Sequence, residues 1–199
     1  MQLLANGVAG VGADGKLLWR YGTDKEHFAG NTANIPTPIV VGDQVFQAAG
    51  YGRGAGLFTV ASADGEYKVT EDWFMKELNN KHGGVVKVGD YLYGDRDDGG
   101  NPWCAEFKTG KVLWNRPRPK GKDAGNGSTS LTYADGHLYL HFANGYMALV
   151  EANSNSYVEK GSFKLPNGDH DSWSHPVVID GRLYQREQDT LWVYDVRAK

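Results

Sequence analysis

The fold is decided by a ten-residue stretch that recurs along the chain, and its clearest copy reads Gly84-Val85-Val86-Lys87-Val88-Gly89-Asp90-Tyr91-Leu92-Tyr93. Residues 37–46, 130–139 and 175–184 align with it without a gap. Every copy consists of an apolar run, a Gly-Asp or Asp-Gly pair, and a second run that ends in an aromatic residue. Because such pairs form the tight turns of β-hairpins, each copy predicts two antiparallel strands.

The spacing of these copies matches the length of one propeller blade. Their final aromatic residues, Phe46, Tyr93, Tyr139 and Tyr184, are 47, 46 and 45 residues apart. A third apolar segment follows each hairpin, at residues 57–61, 103–107, 146–150 and 191–196. A fourth, outermost segment is clearest at residues 16–19 and 111–114, each of which ends in tryptophan. Four strands per repeat are typical of one blade of a β-propeller.

We therefore predict an all-β protein, a β-propeller of four-stranded antiparallel blades that forms a partial ring of about four blades. The whole chain, 1–199, is expected to be one partial propeller domain. Its blade segments are predicted at about 1–33, 34–80, 81–126, 127–171 and 172–199. The first of these segments should supply a third and a fourth strand, and the last should supply a first, a second and a third. The alternative is a pair of stacked sheets with regular turns.

The strands that begin at Thr37, Gly84, Ser130 and His175 are predicted to be the innermost strands of their blades. The strands that end at Trp19 and Trp114 are predicted to be outermost.

The composition agrees with many short strands and excludes several classes of protein. The chain has 199 residues, of which 40% are hydrophobic, with 27 glycines, 11 tyrosines and 6 tryptophans. Its 21 basic and 24 acidic residues give a net charge of -3, which is not the positive field that binds nucleic acid. Cys104 is alone, which excludes an intrachain disulfide and a cysteine metal cluster. No apolar run reaches the roughly 20 residues of a membrane helix, so no transmembrane segment is predicted.

Residues Cys104-Ala105-Glu106-Phe107-Lys108-Thr109-Gly110-Lys111-Val112-Leu113-Trp114 resemble the tryptophan-docking motif of quinoprotein propellers, Ala-x-Asp-x-x-Thr-Gly-Lys-x-x-Trp. Cys104 and Glu106 depart from that pattern. A second copy at residues 9–19 keeps the alanine, the Gly-Lys pair and the tryptophan, whereas residues 130–165 lack the tryptophan. The chain thus resembles the pyrroloquinoline-quinone-repeat (PQQ-repeat) β-propeller family, and the resemblance covers nearly all of it.

This resemblance implies a binding scaffold more than an enzyme. The family includes outer-membrane assembly lipoproteins as well as quinone-dependent dehydrogenases, and the familiar alcohol dehydrogenases carry a vicinal cysteine pair that a single cysteine cannot form. We predict an interaction module that requires no cofactor and is not catalytic on its own. PQQ and calcium belong to the alternative interpretation, a fragment or subunit of a PQQ-dependent alcohol or sugar dehydrogenase.

The resemblance also implies an exported, periplasmic protein, although the N-terminus lacks the layout of a signal peptide. The expected partner is a protein or a small polar ligand, and open blade edges predict self-association.

The repeat also predicts where a binding site lies. The connections between blades place polar and aromatic residues before the innermost strands, where they should form an arc around the mouth of a central channel. The loops between second and third strands should open on the same face. The predicted ligand-binding residues are Asn80, His82, Asn126, Ser128, Asp171, Trp173, His175, Tyr51, Arg53 and Arg96. These groups suit a polar or anionic ligand, or alternatively cap turns and satisfy exposed backbone groups.

Two acidic segments have both a metal-binding and a structural interpretation. Residues 95–101 with Glu106 imitate a calcium loop, but Gly99 stands at a ligand position, which favours a solvated hairpin loop. A second cluster of potential ligands lies within seven residues and consists of Asp169, His170, Asp171 and His175. Because polar loops contain such clusters by chance, an inter-blade loop held by hydrogen bonds is favoured there, and no metal site or catalytic residue is assigned.

Overall fold

The computed structural model describes residues 1–24, 26–28, 34–117, 124–168 and 171–197. These residues form eighteen β-strands and one short 3-10 helix, without an α-helix. The strands belong to five separate antiparallel sheets, which we call blades 1–5 in chain order. No helix in the described ranges is long and apolar enough to cross a membrane.

The blades follow one another along the chain. Blade 1 contains β1 (Gln2–Leu4), β2 (Gly7–Val11) and β3 (Leu17–Tyr21). Blade 2 contains β4 (Ile39–Val41), β5 (Gln44–Ala49), β6 (Gly54–Ala63) and β7 (Glu66–Met75), followed by the 3-10 helix Lys76–Leu78. Blade 3 contains β8 (Val86–Val88), β9 (Tyr91–Asp95), β10 (Pro102–Glu106) and β11 (Val112–Asn115). Blade 4 contains β12 (Thr129–Ala134), β13 (His137–Phe142), β14 (Tyr146–Glu151) and β15 (Glu159–Lys164). Blade 5 contains β16 (Val177–Ile179), β17 (Arg182–Glu187) and β18 (Thr190–Asp195).

The order of strands within each sheet follows the chain, as in a propeller blade. The first strands β4, β8, β12 and β16 each form one edge of their sheet, and β12 lies beside both β8 and β16. The predicted all-β fold, a partial ring of four-stranded antiparallel blades, is therefore confirmed. Each of the five sheets also lies within one of the five predicted segments.

Blade 1 differs from its prediction because it has three strands instead of two. The additional strand, β1, pairs with β2 through Leu3 and Val8. Neither the turn pair nor the terminal aromatic residue of the repeat occurs here, so the repeat pattern could not reveal this strand. Leu3 is nevertheless buried against blade 2, and this packing stabilises β1 in its place.

The hairpin turns follow the chemistry of their two central residues. Asp135 and Gly136 both have positive φ angles, 48° and 77°, which is the requirement of a type I′ turn. In the Gly42-Asp43 turn only the glycine is positive, at 58°, which is typical of type II′. Both turn types follow the right-handed twist of antiparallel strands, so the short pairs read from the sequence also set the register.

The hydrophobic core lies between the blades rather than within them. Blades 2 and 3 bury Phe46 and Leu57 against Trp103, and blades 3 and 4 bury Tyr93 and Cys104 against the next sheet. Burying a side chain the size of Leu57 contributes about 1.5–3 kcal/mol. The Cys104 thiol is fully buried, and burial raises its pKa to about 12. Stability thus depends on the stacking of successive blades.

Three tryptophans on outermost strands seal these junctions. Trp19, Trp73 and Trp114 are 7%, 8% and 7% exposed. The Nε1–H of Trp73 donates to the carbonyl oxygen of Phe107 in the next blade at 3.1 Å, and that of Trp114 donates to Asn153 at 2.9 Å. The sequence pattern did not single out Trp73, because no Gly-Lys pair precedes it.

Candidate binding site at the channel mouth

Residues from blades 2–5 line one cavity of about 220 Å³, most of them in the connections that precede the first strands. Its lining includes Pro36 from blade 2, His82 and Val86 from blade 3, Leu131 from blade 4 and His175 from blade 5. The connection before blade 3 approaches the first strand of blade 4 so closely that a Cβ added at residue 83, a glycine, would lie 1.7 Å from the carbonyl oxygen of Thr129. Glycine is therefore required there for this close approach, and the cavity lies beside the first strands of blades 3 and 4, where the repeat predicts the mouth of a channel.

Side chains from three blades come together at the mouth of this cavity. The rings of His82 and Trp173 are stacked, with centroids 4.4 Å apart and planes inclined by 19°. His82 Nδ1 lies 3.1 Å from Ser128 Oγ, and Ser130 Oγ donates to the carbonyl oxygen of Trp173 at 2.9 Å. Trp173 nevertheless remains accessible, since 48% of this residue is exposed. The structure thus places the predicted column His82, Ser128 and Trp173 in one contact group.

The ion pair of Lys81 and Asp98 is connected to this stack through Ser128. Lys81 Nζ lies 2.6 Å from Asp98 Oδ2, and Ser128 Oγ donates to Asp98 Oδ1 at 2.7 Å. Burial opposes ionisation of Asp98, but the hydrogen bonds from Lys81 and Ser128 outweigh it and keep its pKa below the ordinary value. The bond to Asp98 in turn raises the pKa of Lys81. Both groups are therefore ionised at neutral pH and neutralise one another.

The imidazole of His82 is neutral at pH 7. Burial and the adjacent Lys81 ammonium lower the pKa of His82, against the opposite influence of Asp98 and Asp97. A neutral imidazole stacked on an indole presents a flat aromatic surface without a net charge.

The loop between the second and third strands of blade 2 adds another aromatic ring to the same mouth. Tyr51 is 54% exposed, and its ring lies 4.8 Å from Lys81 Nζ. Its backbone has a φ of 58°, a left-handed conformation that costs energy for tyrosine. Asp97 holds it there by accepting the backbone N–H groups of Tyr51 and Gly52 at 3.2 and 3.0 Å. We call Tyr51, His82, Ser128, Trp173 and His175 the mouth cluster.

Other predicted site residues have structural partners instead. Asn80 is buried, and its amide donates to the carbonyl oxygen of Asp95 at 2.9 Å. Arg96 donates to the backbone of Glu77 at 3.0 Å.

The remaining predicted site residues are Asn126, Asp171 and Arg53. Asn126 and Asp171 are exposed, with backbone groups bonded to Asn144 and Gln188, and Arg53 is half-buried. The contacts of Asn80 and Arg96 therefore support the interpretation that these residues satisfy backbone groups. The mouth cluster instead presents accessible rings.

Sequence reasoning missed a buried carboxyl group, that of Asp95, and a buried pair of polar side chains, both of which lie between blades. Asp95 Oδ2 accepts the backbone N–H of Thr129 at 2.8 Å, and burial raises the pKa of Asp95 to about 7, against the hydrogen bonds that it accepts. Between blades 4 and 5, His141 Nε2 lies 3.0 Å from Glu187 Oε2, with the two side chains 0% and 1% exposed. Burial lowers the pKa of His141, despite the neighbouring carboxylate. Neither group could be recognised without knowing which strands face each other.

The metal-binding interpretation of the acidic segments has no support in the described ranges, which contain no group of three or more His, Cys, Asp or Glu side chains arranged to hold a metal ion. Asp95 is buried, whereas Asp97 and Asp98 bond to the mouth loops. Asp169 and His170 lie outside the described residues, so the second cluster stays a prediction.

Consecutive antiparallel sheets whose first strands lie side by side, with connecting loops gathered beside them, are typical of a β-propeller. A family model described as outer membrane protein assembly factor BamB matches residues 3–116, more than half of the chain. The chain belongs to this family of PQQ-repeat β-propellers, as its sequence resemblance implied. A search of curated protein sequences gave no match.

Solved structures show the same fold. The crystal structure of BamB from Moraxella catarrhalis has a TM-score of 0.60 and 16% identity, over 90% of this chain and 49% of that chain. The computationally designed Ika4 protein has a TM-score of 0.55 and 11% identity, over 84% of this chain and 94% of that chain. The chain therefore spans about half the length of the BamB structure that it matches. A europium-containing methanol dehydrogenase, with a TM-score of 0.43, is too dissimilar to bear on function.

Proposed function

We propose that this protein is a binding scaffold that recognises a partner protein through the mouth cluster, without a cofactor. The observation that carries the proposal is the His82–Trp173 stack, in which residues from blades 3 and 5 present one aromatic surface above the cavity of about 220 Å³. Because this surface is assembled from separate blades, it exists only in the folded protein. Binding there therefore requires a correctly formed propeller.

The chemistry of the mouth favours a protein partner over a small anionic ligand. Lys81 is paired with Asp98, and Arg96 bonds to a backbone carbonyl oxygen, so these cations are already engaged within the chain. The accessible groups are instead the rings of Trp173 and Tyr51. Aromatic side chains of this kind dominate the energetics of protein–protein interfaces, because they bury a large area with few rotatable bonds.

The family relationship supports a proposal about the cellular location of this scaffold. Since the matching model is described as an outer membrane protein assembly factor, we propose that the protein is exported to the periplasm and that its partner belongs to an outer-membrane assembly process. Within the blades, Trp73 and Trp114 act as docking tryptophans, as their bonds to the next blade support. Self-association through blade edges stays a prediction.

Site-specific photocrosslinking tests the partner surface. A photoreactive amino acid at Tyr51 should form a crosslink with a cell-envelope protein in the source organism, because Tyr51 is exposed beside the mouth. The matched control is Tyr67, an exposed tyrosine on the β6–β7 hairpin of the same blade, where no crosslink to that protein is expected. Identical crosslinks from both positions would contradict the proposal.

A combined substitution distinguishes recognition from folding. The triple variant that combines His82→Ala, Trp173→Ala and His175→Ala should bind the partner identified by crosslinking at least tenfold more weakly than the wild type does. Its melting temperature should change little. If binding falls only in proportion to the folded fraction, these side chains are structural and the binding site lies elsewhere. Turnover of an alcohol or sugar with added PQQ and calcium would instead support the dehydrogenase interpretation.

A further inference from the structure

A glycine occupies a position on blade 4 where the preceding three blades carry tryptophan. In each of blades 1–4, the pairing of the third strand with the outermost strand contains one register shift. The last pair before this shift joins Gly10 to Trp19, Leu57 to Trp73, Cys104 to Trp114, and Leu149 to Gly161. Gly161 is therefore the structural counterpart of the three junction-sealing tryptophans.

Two of the three filled positions, those of Trp73 and Trp114, share two contacts that define the site. Within its own blade, Trp73 packs on Phe46 with centroids 6.0 Å apart and planes inclined by 49°. Trp114 packs on Tyr93 at 6.0 Å and 47°. Both indoles also donate Nε1–H to a carbonyl oxygen of the next blade. Each position is thus a socket with an aromatic wall on one side and a hydrogen-bond acceptor on the other.

The socket on blade 4 is open. A Cβ added at Gly161 would have no other atom within 4 Å. Beside it lies a cavity of about 320 Å³, a size typical of small-molecule sites. Its apolar lining consists of Tyr139, Met147, Leu149, Phe163, Leu183 and Val196. Tyr139 is the counterpart of Phe46 and Tyr93 in the repeat, so the aromatic wall is present although the indole is absent.

The acceptor of the socket is present as well. Trp73 uses the carbonyl oxygen of Phe107, whose own N–H bonds to the hairpin turn at Asp90 at 2.8 Å. In blade 5, Val196 N–H bonds to the corresponding turn at Gly181 at 2.9 Å, so Val196 is the counterpart of Phe107. The acceptor of Trp114, Asn153, lies one residue later in its repeat, at the position of Arg197. The cation at the rim, Arg197, donates to Asp195 at 2.9 Å and is already neutralised. This arrangement favours a neutral aromatic ring with one N–H donor.

We propose that the Gly161 socket binds a small, neutral, planar aromatic molecule of the indole class. The ring packs on Tyr139 between blades 4 and 5, and its N–H donates to the carbonyl oxygen of Val196. The buried indoles of Trp19, Trp73 and Trp114 at the corresponding positions define the shape of this occupant, and the N–H bonds of Trp73 and Trp114 define its polarity. The socket shares no residue with the mouth cluster, so this activity goes beyond partner recognition.

Fluorine NMR with 5-fluoroindole as the probe tests the site. We expect saturable binding to the wild-type chain with a dissociation constant of about 0.1–1 mM, as suits a ligand of this size. Gly161→Trp should weaken binding at least tenfold, because the chain's own indole then fills the socket, and should raise the melting temperature. Ser62→Trp adds an indole on the exposed β6–β7 hairpin and should leave binding unchanged. Unlabelled 1-methylindole should compete about three- to tenfold more weakly than unlabelled indole, since it lacks the N–H.

Several results would overturn the proposal. The first is the absence of saturable binding up to the solubility limit, and the second is equal binding to the wild type and to Gly161→Trp. The third is a preference for a tryptophan-containing peptide over free indole, which would assign the socket to a partner's side chain. If Gly161→Trp does not fold, Gly161→Phe provides the same test with a smaller ring. Trp114→Gly supplies the reciprocal test, since a folded variant should gain a second indole site.

Discussion

The junction between blades 3 and 4 and the junction between blades 4 and 5 share one geometry but differ in chemistry. The first buries a continuous apolar cluster of nine side chains in the described residues, sealed by Trp114. At the second junction, the buried residues of the corresponding cluster in the described part of the chain are Met147, Leu165 and Leu183, with partly buried apolar side chains around them. Beside this cluster lies the buried pair His141 and Glu187. Its tryptophan position is the open Gly161 socket. The repeat therefore fixes the spacing of the blades, but the interactions that hold neighbouring blades together, apolar packing or a buried polar pair, differ from one junction to the next.

The largest effect is expected from the apolar junction. Trp114→Ala should lower the free energy of unfolding by about 3–5 kcal/mol, because it removes a buried ring and leaves a cavity. Urea unfolding measures this loss. The matched control is Trp173→Ala, which removes an exposed indole and should change stability by less than about 0.5 kcal/mol. Equal losses would show that junction burial does not control stability.

A pH effect should also arise at the junction of blades 3 and 4. Because the pKa of Asp95 is raised to about 7 from an unfolded value of 3.8, the folded chain retains a proton that the unfolded chain releases. Asp95 therefore lowers the free energy of unfolding as pH rises from about 4 to about 7. Asp95→Asn should remove this slope in urea unfolding at several pH values. Asp64→Asn, at the exposed tip of the β6–β7 hairpin, should keep it.

A smaller effect is expected from the polar junction, and a double-mutant cycle measures it. His141→Leu or Glu187→Leu alone should cost about 1–3 kcal/mol, since each leaves a buried polar partner without its bond. The double variant should cost less than the sum of the single variants, because neither member of the pair is then left buried without the other. Additive losses in urea unfolding would show that the pair is not coupled across blades 4 and 5.

The fold was largely predictable because its signals are local. The Gly-Asp and Asp-Gly pairs specify hairpins, and the spacing of Phe46, Tyr93 and Tyr139 specifies the blade. β1 was missed because it lacks the Gly-Asp or Asp-Gly pair and the terminal aromatic residue of the repeat, and its packing against blade 2 is seen only in the structure. Trp73 was missed because its motif is incomplete, although its structural position equals that of Trp114.

The candidate site was predictable only in its column arrangement. Aligning the repeats brought His82, Ser128 and Trp173 to one place, since residues at equal repeat positions are related by rotation about the channel. The pairing of Lys81 with Asp98 joins two different loops, and the repeat carries no information about their contact. For the same reason, the sequence could not show that Asn80 turns inward to a backbone carbonyl oxygen.

The lone cysteine gives the apolar junction a built-in reporter. The Cys104 thiol is fully enclosed between blades 3 and 4, and its raised pKa keeps it in the unreactive protonated form. A thiol reagent can therefore modify it only in molecules whose blades have momentarily separated. Under conditions in which reclosing is faster than modification, the labelling rate is proportional to the population of that opened form. The reaction rate of the native cysteine, without any engineered probe site, thus records how often blades 3 and 4 separate.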